Sequence, residues 1–269
     1  VPVTERVSHA QNAEDIRVWR AFRDHPGPLR YVDVGANEPV HLSITASLSA
    51  LGWQGLLIEA DPDLAADLRI FRPRDIVIEC AVGEAEGRVT FHRVPGTGLG
   101  TTGEHVALAA TERGFHAETI DVPMRQLTAI LDDWGGGEIH FMTIDVEGAE
   151  GSVLAGLDLS RHRPWVLCVE AIEPGTDTPT HEAWEPHVLS SDYVLAAFDG
   201  VNRWYVAREH EDLIAPISMP FNALDAGIHG WVPADLAGER RANMRSYARR
   251  AWQRELIMHD LKASIPPET

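Results

Sequence analysis

The chain has 269 residues, 44% hydrophobic, 24% charged and 7% aromatic, which is the composition of a folded protein and excludes a disordered one. Lys and Arg total 23 against 41 Asp and Glu, and a net charge of -18 excludes non-specific binding to a phosphate backbone, so nucleic acid is not an expected partner. No run approaches the roughly 18 to 20 apolar residues that cross a bilayer, and the first residues lack a basic-then-apolar leader. A cytoplasmic protein without membrane contact is expected. Cys80 and Cys168 both lie in apolar runs and read as buried structural thiols.

Residues 12–23 carry Ile16, Trp19 and Phe22 at helical spacing, and His25-Pro26-Gly27-Pro28 stops the helix. LRYVDVGA follows as a strand, then a helical stretch from Leu42 to Gly52. GLLIEA at 55–60 is the next strand, and DPDLAADLRIF the helix after it, with Pro62 in its first turn. DIVIECAVG reads as a third strand. Residues 87–121 are less regular: GRVTFHRV is a strand, and residues 96–102 form a loop rich in Gly and Thr that is suited to a lid or to touching an acceptor. MRQLTAILDDW is an amphipathic helix ending at three glycines. IHFMTIDVEG and RPWVLCVEAIE are strands separated by the helix AEGSVLAGL; residues 179–191 form another helix; YVLAAFDG and RWYVAR make a hairpin turning at Asp199-Gly200-Val201-Asn202.

Strands alternating with helices imply a parallel sheet covered on both faces, here doubly wound with an antiparallel edge hairpin. Three parts are expected: an N-terminal helical segment over 1–28, a domain over 29–230, and a C-terminal helical extension over 231–269. The extension holds six arginines between Glu239 and Arg254 and an apolar face, so it packs on the domain or on a second copy in a homo-oligomer, or docks an anionic partner.

Ligands of open parallel sheets bind beyond the carboxyl ends of the strands. Asp33-Val34-Gly35-Ala36-Asn37 ends the first strand, and Gly35 permits a close backbone approach. Glu59 ends the second and is placed to accept ribose hydroxyls. Glu79-Cys80-Ala81-Val82 ends the third, where small apolar atoms suit an adenine. Gly35 is not followed by the further glycines of G-x-G-x-x-G, so a pyrophosphate cradle is doubtful and an adenosine ligand without phosphates fits better. S-adenosylmethionine (SAM) is the common ligand of that kind, its amino-acid end meeting the turn at 33–37. An NAD(P)-dependent Rossmann oxidoreductase and a non-catalytic module binding an adenosine ligand are the alternatives.

DVGAN, Glu59, AVG at 81–83, IDVEGAE at 144–150 and FDGVNRWYV at 198–206 together resemble the FkbM family of SAM-dependent methyltransferases over roughly residues 30–225. The resemblance implies a class I methyltransferase (Rossmann-like) fold of seven strands. It also implies O-methylation of a hydroxyl on a sugar, glycan or glycosylated natural product. The family's glycine two residues after DVGAN is absent, since Glu38 and Pro39 come next.

Transfer of a methyl group to an alcohol needs alignment of donor and acceptor, and a base or metal ion to remove a poorly acidic proton. Asp145, Glu147 and Glu150 follow the fourth strand, and Glu170 and Glu173 the fifth. Asp145 and Glu170 should end adjacent strands and converge, as catalytic groups or as oxygen ligands of Mg2+; the metal is plausible only by resemblance to some sugar O-methyltransferases of this fold. Glu147 and Glu150 equally suit the positive end of a helix. His181, in a segment expected to cover the site, is the general-base candidate, because imidazoles titrate near neutrality. His41 either touches ligand or starts a helix. Trp184, Trp204 and Tyr205 either stack on a sugar or pack in the core. The expected cofactor contacts are Asp33, Gly35, Asn37, Glu59, Ala81 and Asp145.

Overall fold

A computed structural model describes residues 6–94, 100–112, 114, 116–222, 225 and 227–229. The expected C-terminal helix with its arginines, and residues 96–99 of the Gly/Thr loop, lie outside the described residues.

In chain order the elements are β1 (Arg6–Ser8), α1 (Glu14–Phe22), β2 (Arg30–Val34), α2 (Ala46–Ala50), β3 (Gln54–Glu59), α3 (Pro62–Phe71), β4 (Ile76–Glu79), β5 (Ala81–Val82), β6 (Gly87–Arg93) and β7 (Gly100–Thr101). There follow α4 (Glu104–Glu112), β8 (Glu118–Arg125), α5 (Leu127–Asp133), β9 (Phe141–Ile144), α6 (Glu150–Ala155) and β10 (Val166–Glu170). A 3-10 turn at His181–Ala183, α7 (Glu185–Ser190), β11 (Tyr193–Phe198), β12 (Asn202–Ala207), a second 3-10 segment at Arg208–Leu213, α8 (Ile214–Ser218) and β13 (Gly227–His229) complete them.

The main sheet has the strand order β11-β12-β10-β9-β2-β3-β4. The neighbouring pairs from β10 to β4 are parallel, while β12 runs antiparallel to both β10 and β11. Alternate residues of each strand feed opposite faces, as the period of two requires. Val32, Leu56, Met142 and Leu167 join one apolar cluster with α5 and α6. Tyr31, Leu57, Phe141 and Val166 join another with Val18 and Phe22 of α1 and Ile217 of α8. Truncating any of these buried aliphatic side chains to Ala would cost about 2–5 kcal/mol.

β2 lies at the point where chain order reverses, β3 beside it on one side and β9 on the other. In doubly wound sheets that switch point opens a crevice at the carboxyl ends of the strands. α3 begins at this crevice, capped by Asp61, whose side chain accepts the Asp63 N–H at 2.8 Å ahead of Pro62. Such a cap contributes about 1 kcal/mol.

Four local readings change. The helix expected from Leu42 is only α2, because Leu42 has φ 60° and Thr45 is spent on tertiary hydrogen bonds. His41 therefore lies five residues before a helix and does not start one. The single strand expected over 75–83 breaks at Cys80: β4 stays in the main sheet, and β5 joins a second sheet of order β5-β8-β6-β7. β8 was not foreseen, although Ile120, Val122 and Met124 alternate along it; its Pro123 is tolerated where only β6 flanks it, because β5 pairs with Met124 and Arg125 alone.

The hairpin motif is structural. Asp199 Oδ1 accepts the N–H groups of Val201 and Asn202, and its Oδ2 accepts the Trp204 indole N–H at 2.7 Å. Trp204 and Tyr205 are wholly buried, the first stacked on Phe141 and the second donating its hydroxyl to Glu185. Packing, and not contact with a sugar, accounts for both.

Candidate active site

A cavity of about 370 Å³ opens at the switch point. Asp33, Gly35, Asn37, Glu59, Ala81 and Asp145 all line it, as do His41 and Glu147. The second sheet supplies a wall that the sequence reading did not foresee, including Phe91, Arg93 and Glu118, and the N-terminal segment contributes Gln11. Arg93 is tied to Asp63 and Glu118, each at 2.8 Å, so the rim of that wall is cross-linked by charge.

The floor is built by backbone geometry. Gly35 has φ +84°, and its N–H and that of Ala36 donate to the Ile58 carbonyl at 3.0 and 3.1 Å. A Cβ at residue 35 would stand 1.8 Å from the carbonyl oxygen of Asp145. Only glycine lets β2 turn this closely past the end of β9.

Glu59 is buried, and each carboxylate oxygen accepts a backbone N–H, from Asn37 at 2.7 Å and from Asp61 at 2.8 Å. Burial raises its pKa to about 7, with those two bonds opposing the rise. Glu59 thus holds together the two turns that flank the cavity, which it also lines. Asp33 is raised to about 6 by burial, opposed by a 2.6 Å bond from the Thr45 hydroxyl and by the charge of Arg72.

The IDVEGAE segment makes a tight turn. Glu147 and Gly148 both have positive φ, 54° and 96°. Glu150, the first residue of α6, accepts the N–H groups of Val146 and Gly148 at 3.1 and 3.0 Å, which stabilises the turn and the positive end of the helix together. The Thr101 hydroxyl donates to the Glu147 carbonyl at 2.8 Å, pinning the end of the Gly/Thr loop to the same turn.

β9 and β10 are neighbours, and carboxylate oxygens of Asp145, Glu150 and Glu170 lie within 4.8 Å of one another. No ion pair to Lys or Arg neutralises the three among the described residues. Burial, and for Glu170 the charges of Asp145, Glu147 and Glu150, push the Asp145 and Glu170 pKa values up. Glu150 rises to about 7 and Glu147 to about 8, burial leading in both. Like charges this close disfavour full ionisation, which is why the pKa values of the Asp145–Glu170 pair rise together. Glu170 Oε2 is buried and has no hydrogen-bond partner among the described residues. That orphan oxygen and the all-oxygen donor set fit a hard divalent cation.

His181 is not part of the cavity wall. It sits in the 3-10 turn, edge-on to Trp184 at 6.4 Å between ring centres, and its Nδ1 has no partner among the described residues. Trp184 is buried against Gly151 and likewise does not line the cavity. Glu150 was legible as a helix-start acid, but its place beside Asp145 and Glu170 was not.

Solved structures of similar fold include a TehB-like SAM-dependent methyltransferase from Corynebacterium glutamicum, with 10% identity and a TM-score of 0.40, covering 72% of this chain and 87% of that one. A precorrin-6y C5,15-methyltransferase from Geobacter metallireducens has 12% identity and a TM-score of 0.39, covering 73% and 87%. An O-methyltransferase from Bacillus cereus in complex with SAH has 12% identity and a TM-score of 0.36, covering 72% and 77%. No curated protein matches. The FkbM methyltransferase domain matches residues 33–195, more than half of the sequence, and the chain belongs to the FkbM methyltransferase family.

Proposed function

We propose that this protein is a SAM-dependent O-methyltransferase acting on a hydroxyl of a sugar, glycan or glycosylated natural product. The observation that carries the reading is the meeting of Asp145 and Glu170 at the ends of adjacent strands, with Asp145 on the cavity wall. When bound, SAM supplies a sulfonium methyl; as the C–S bond breaks and a C–O bond forms, SAH leaves and the acceptor hydroxyl loses its proton.

The chain's own residues orient the partners. The turn at 33–37 takes the amino-acid end, Glu59 the ribose, and Ala81, Val82 and Phe91 the adenine. Asp145, on the cavity wall, holds the acceptor hydroxyl and takes its proton, and Glu170, which does not line the cavity, acts through Asp145; the raised pKa values of the pair bring the ionised member nearer to the basicity that an alcohol demands. Asp145, Glu150 and Glu170 would hold Mg2+, which acidifies a bound hydroxyl. His181, outside the cavity wall, is left as the second candidate for the base. Residues 29–230 form the SAM-binding domain in this reading, with Gln11 of the N-terminal segment completing its cavity.

Calorimetric titration with SAM and with SAH is the first test. Micromolar binding of both is expected, together with methyl transfer to a panel of glycosides. Absence of binding at millimolar ligand would remove the reading, and binding of NADH instead would favour an oxidoreductase.

A further inference from the structure

α3 ends at Arg72, whose guanidinium is fully buried. A buried arginine must find partners for five N–H donors, and only one of those found here is a carboxylate: Asp75, at 2.8 Å from Nε. The other donors go to the Pro39 carbonyl at 3.0 Å, the Ser43 hydroxyl at 3.4 Å, the Tyr31 hydroxyl at 2.6 Å, and the Thr45 carbonyl and hydroxyl, each at 3.2 Å.

Pro39 and Thr45 bracket an irregular loop. It takes a left-handed residue at Leu42, and Glu38, His41, Leu42, Ser43 and Ile44 from it line the cavity. The loop has no ladder of its own over 38–45 beyond a single bridge between Leu42 and Ala10. Arg72 thus replaces regular structure as its support. Thr45 carries the support further: its hydroxyl accepts from Arg72 and donates to Asp33 Oδ2 at 2.6 Å. A chain of donors therefore runs from a buried cation to a carboxylate on the cavity wall.

We infer that Arg72 and Thr45 are positioning residues for the amino-acid end of the cofactor, holding Asp33 and the 38–44 wall in the geometry that receives its cationic ammonium group. The inference rests on the SAM reading above. Neither residue touches ligand; both act through Asp33 and the loop.

The test uses Thr45, since removing Arg72 strands the buried Asp75 and endangers folding. In T45V the shape stays and the hydroxyl goes. The dissociation constant and KM for SAM should rise at least tenfold, with kcat at saturating SAM within twofold of the parent. T45S should restore affinity to within threefold, and the unliganded melting temperature of T45V should change too little to account for the loss. Unchanged SAM affinity in T45V overturns the inference, as does a T45S variant that binds as poorly as T45V, because shape and not the hydroxyl would then matter. Failure of the parent protein to bind SAM overturns the cofactor reading and this inference with it, whereas failure confined to the variants' predicted pattern overturns this inference alone.

Discussion

The carbonyl oxygen of Asp145 occupies the space that any side chain at Gly35 would need, 1.8 Å from the position of its Cβ. The turn proposed to receive the cofactor and the strand end that carries Asp145 are therefore one mechanical unit. A change in either is felt by the other.

Gly35→Ala should show this directly. Positive φ costs a non-glycine residue about 1–2 kcal/mol, and the collision with β9 adds to it, so a loss of about 3 kcal/mol or more is expected. The urea midpoint should fall, and SAM should no longer stabilise the variant against heat. A variant as stable as the parent would show that β9 yields.

Glu59→Gln brings an amide NH2 toward one of two backbone N–H groups that now donate to a carboxylate. One bond is lost and a donor is left facing a donor, at about 1–3 kcal/mol. SAM affinity measured by calorimetry should drop at least tenfold, and equal affinity would mean that Glu59 does not shape the ribose site.

Asp145→Asn and Glu170→Gln, made separately, should each lower kcat by about 10²–10⁴-fold, the usual contribution of a positioned proton acceptor. Glu170→Gln should leave SAM binding within threefold of the parent, because Glu170 lies behind the cavity wall. Full turnover in both variants would move the proton to another group, with His181→Ala the next variant to assay.

Melting curves with and without Mg2+ or Mn2+ test the cation. A midpoint rise with the metal in the parent, absent in Glu150→Gln and Glu170→Gln, is expected if the three carboxylates hold it. A rise that persists in both variants would place the ion elsewhere.

Stability should increase as the pH falls from 8 to 6.5. Glu59, Glu147 and Glu150 have folded pKa values of about 7, 8 and 7, all above the ordinary carboxylate value. Over this window the folded chain binds protons that the unfolded chain does not, so unfolding becomes easier as pH rises. Below about 6.5 the sign is contested, because burial lowers His9 and His140 to about 4 and the unfolded chain then takes up protons that the folded one refuses. Urea midpoints at pH 8 and pH 6.5 decide it: a flat result in the parent, or an equal slope in Glu147→Gln, would contradict the placement of the cluster.

What local chemistry dictates could be read in advance. Apolar periodicity marked the strands of the main sheet. Pro and Gly marked their ends, as at Pro62 and the Asp199–Asn202 turn, and Gly35 and Glu59 stood where strand ends open onto the cavity. Each of those signals lies within a few residues of its cause. The second sheet pairs Ala81 with Met124, across 43 residues, and nothing in either segment names the other. Phe91 and Gln11 reach the cavity, Glu150 joins Asp145 and Glu170, and Arg72 reaches back to Pro39 only because distant segments fold onto one another. Sequence by itself determined the α/β alternation and where the turns of the main sheet fall, the break at Cys80 excepted, since those follow from backbone sterics and side-chain period. The tertiary structure alone decided which acids crowd together and what holds the cavity open, because both depend on long-range contacts and on the water that those contacts exclude.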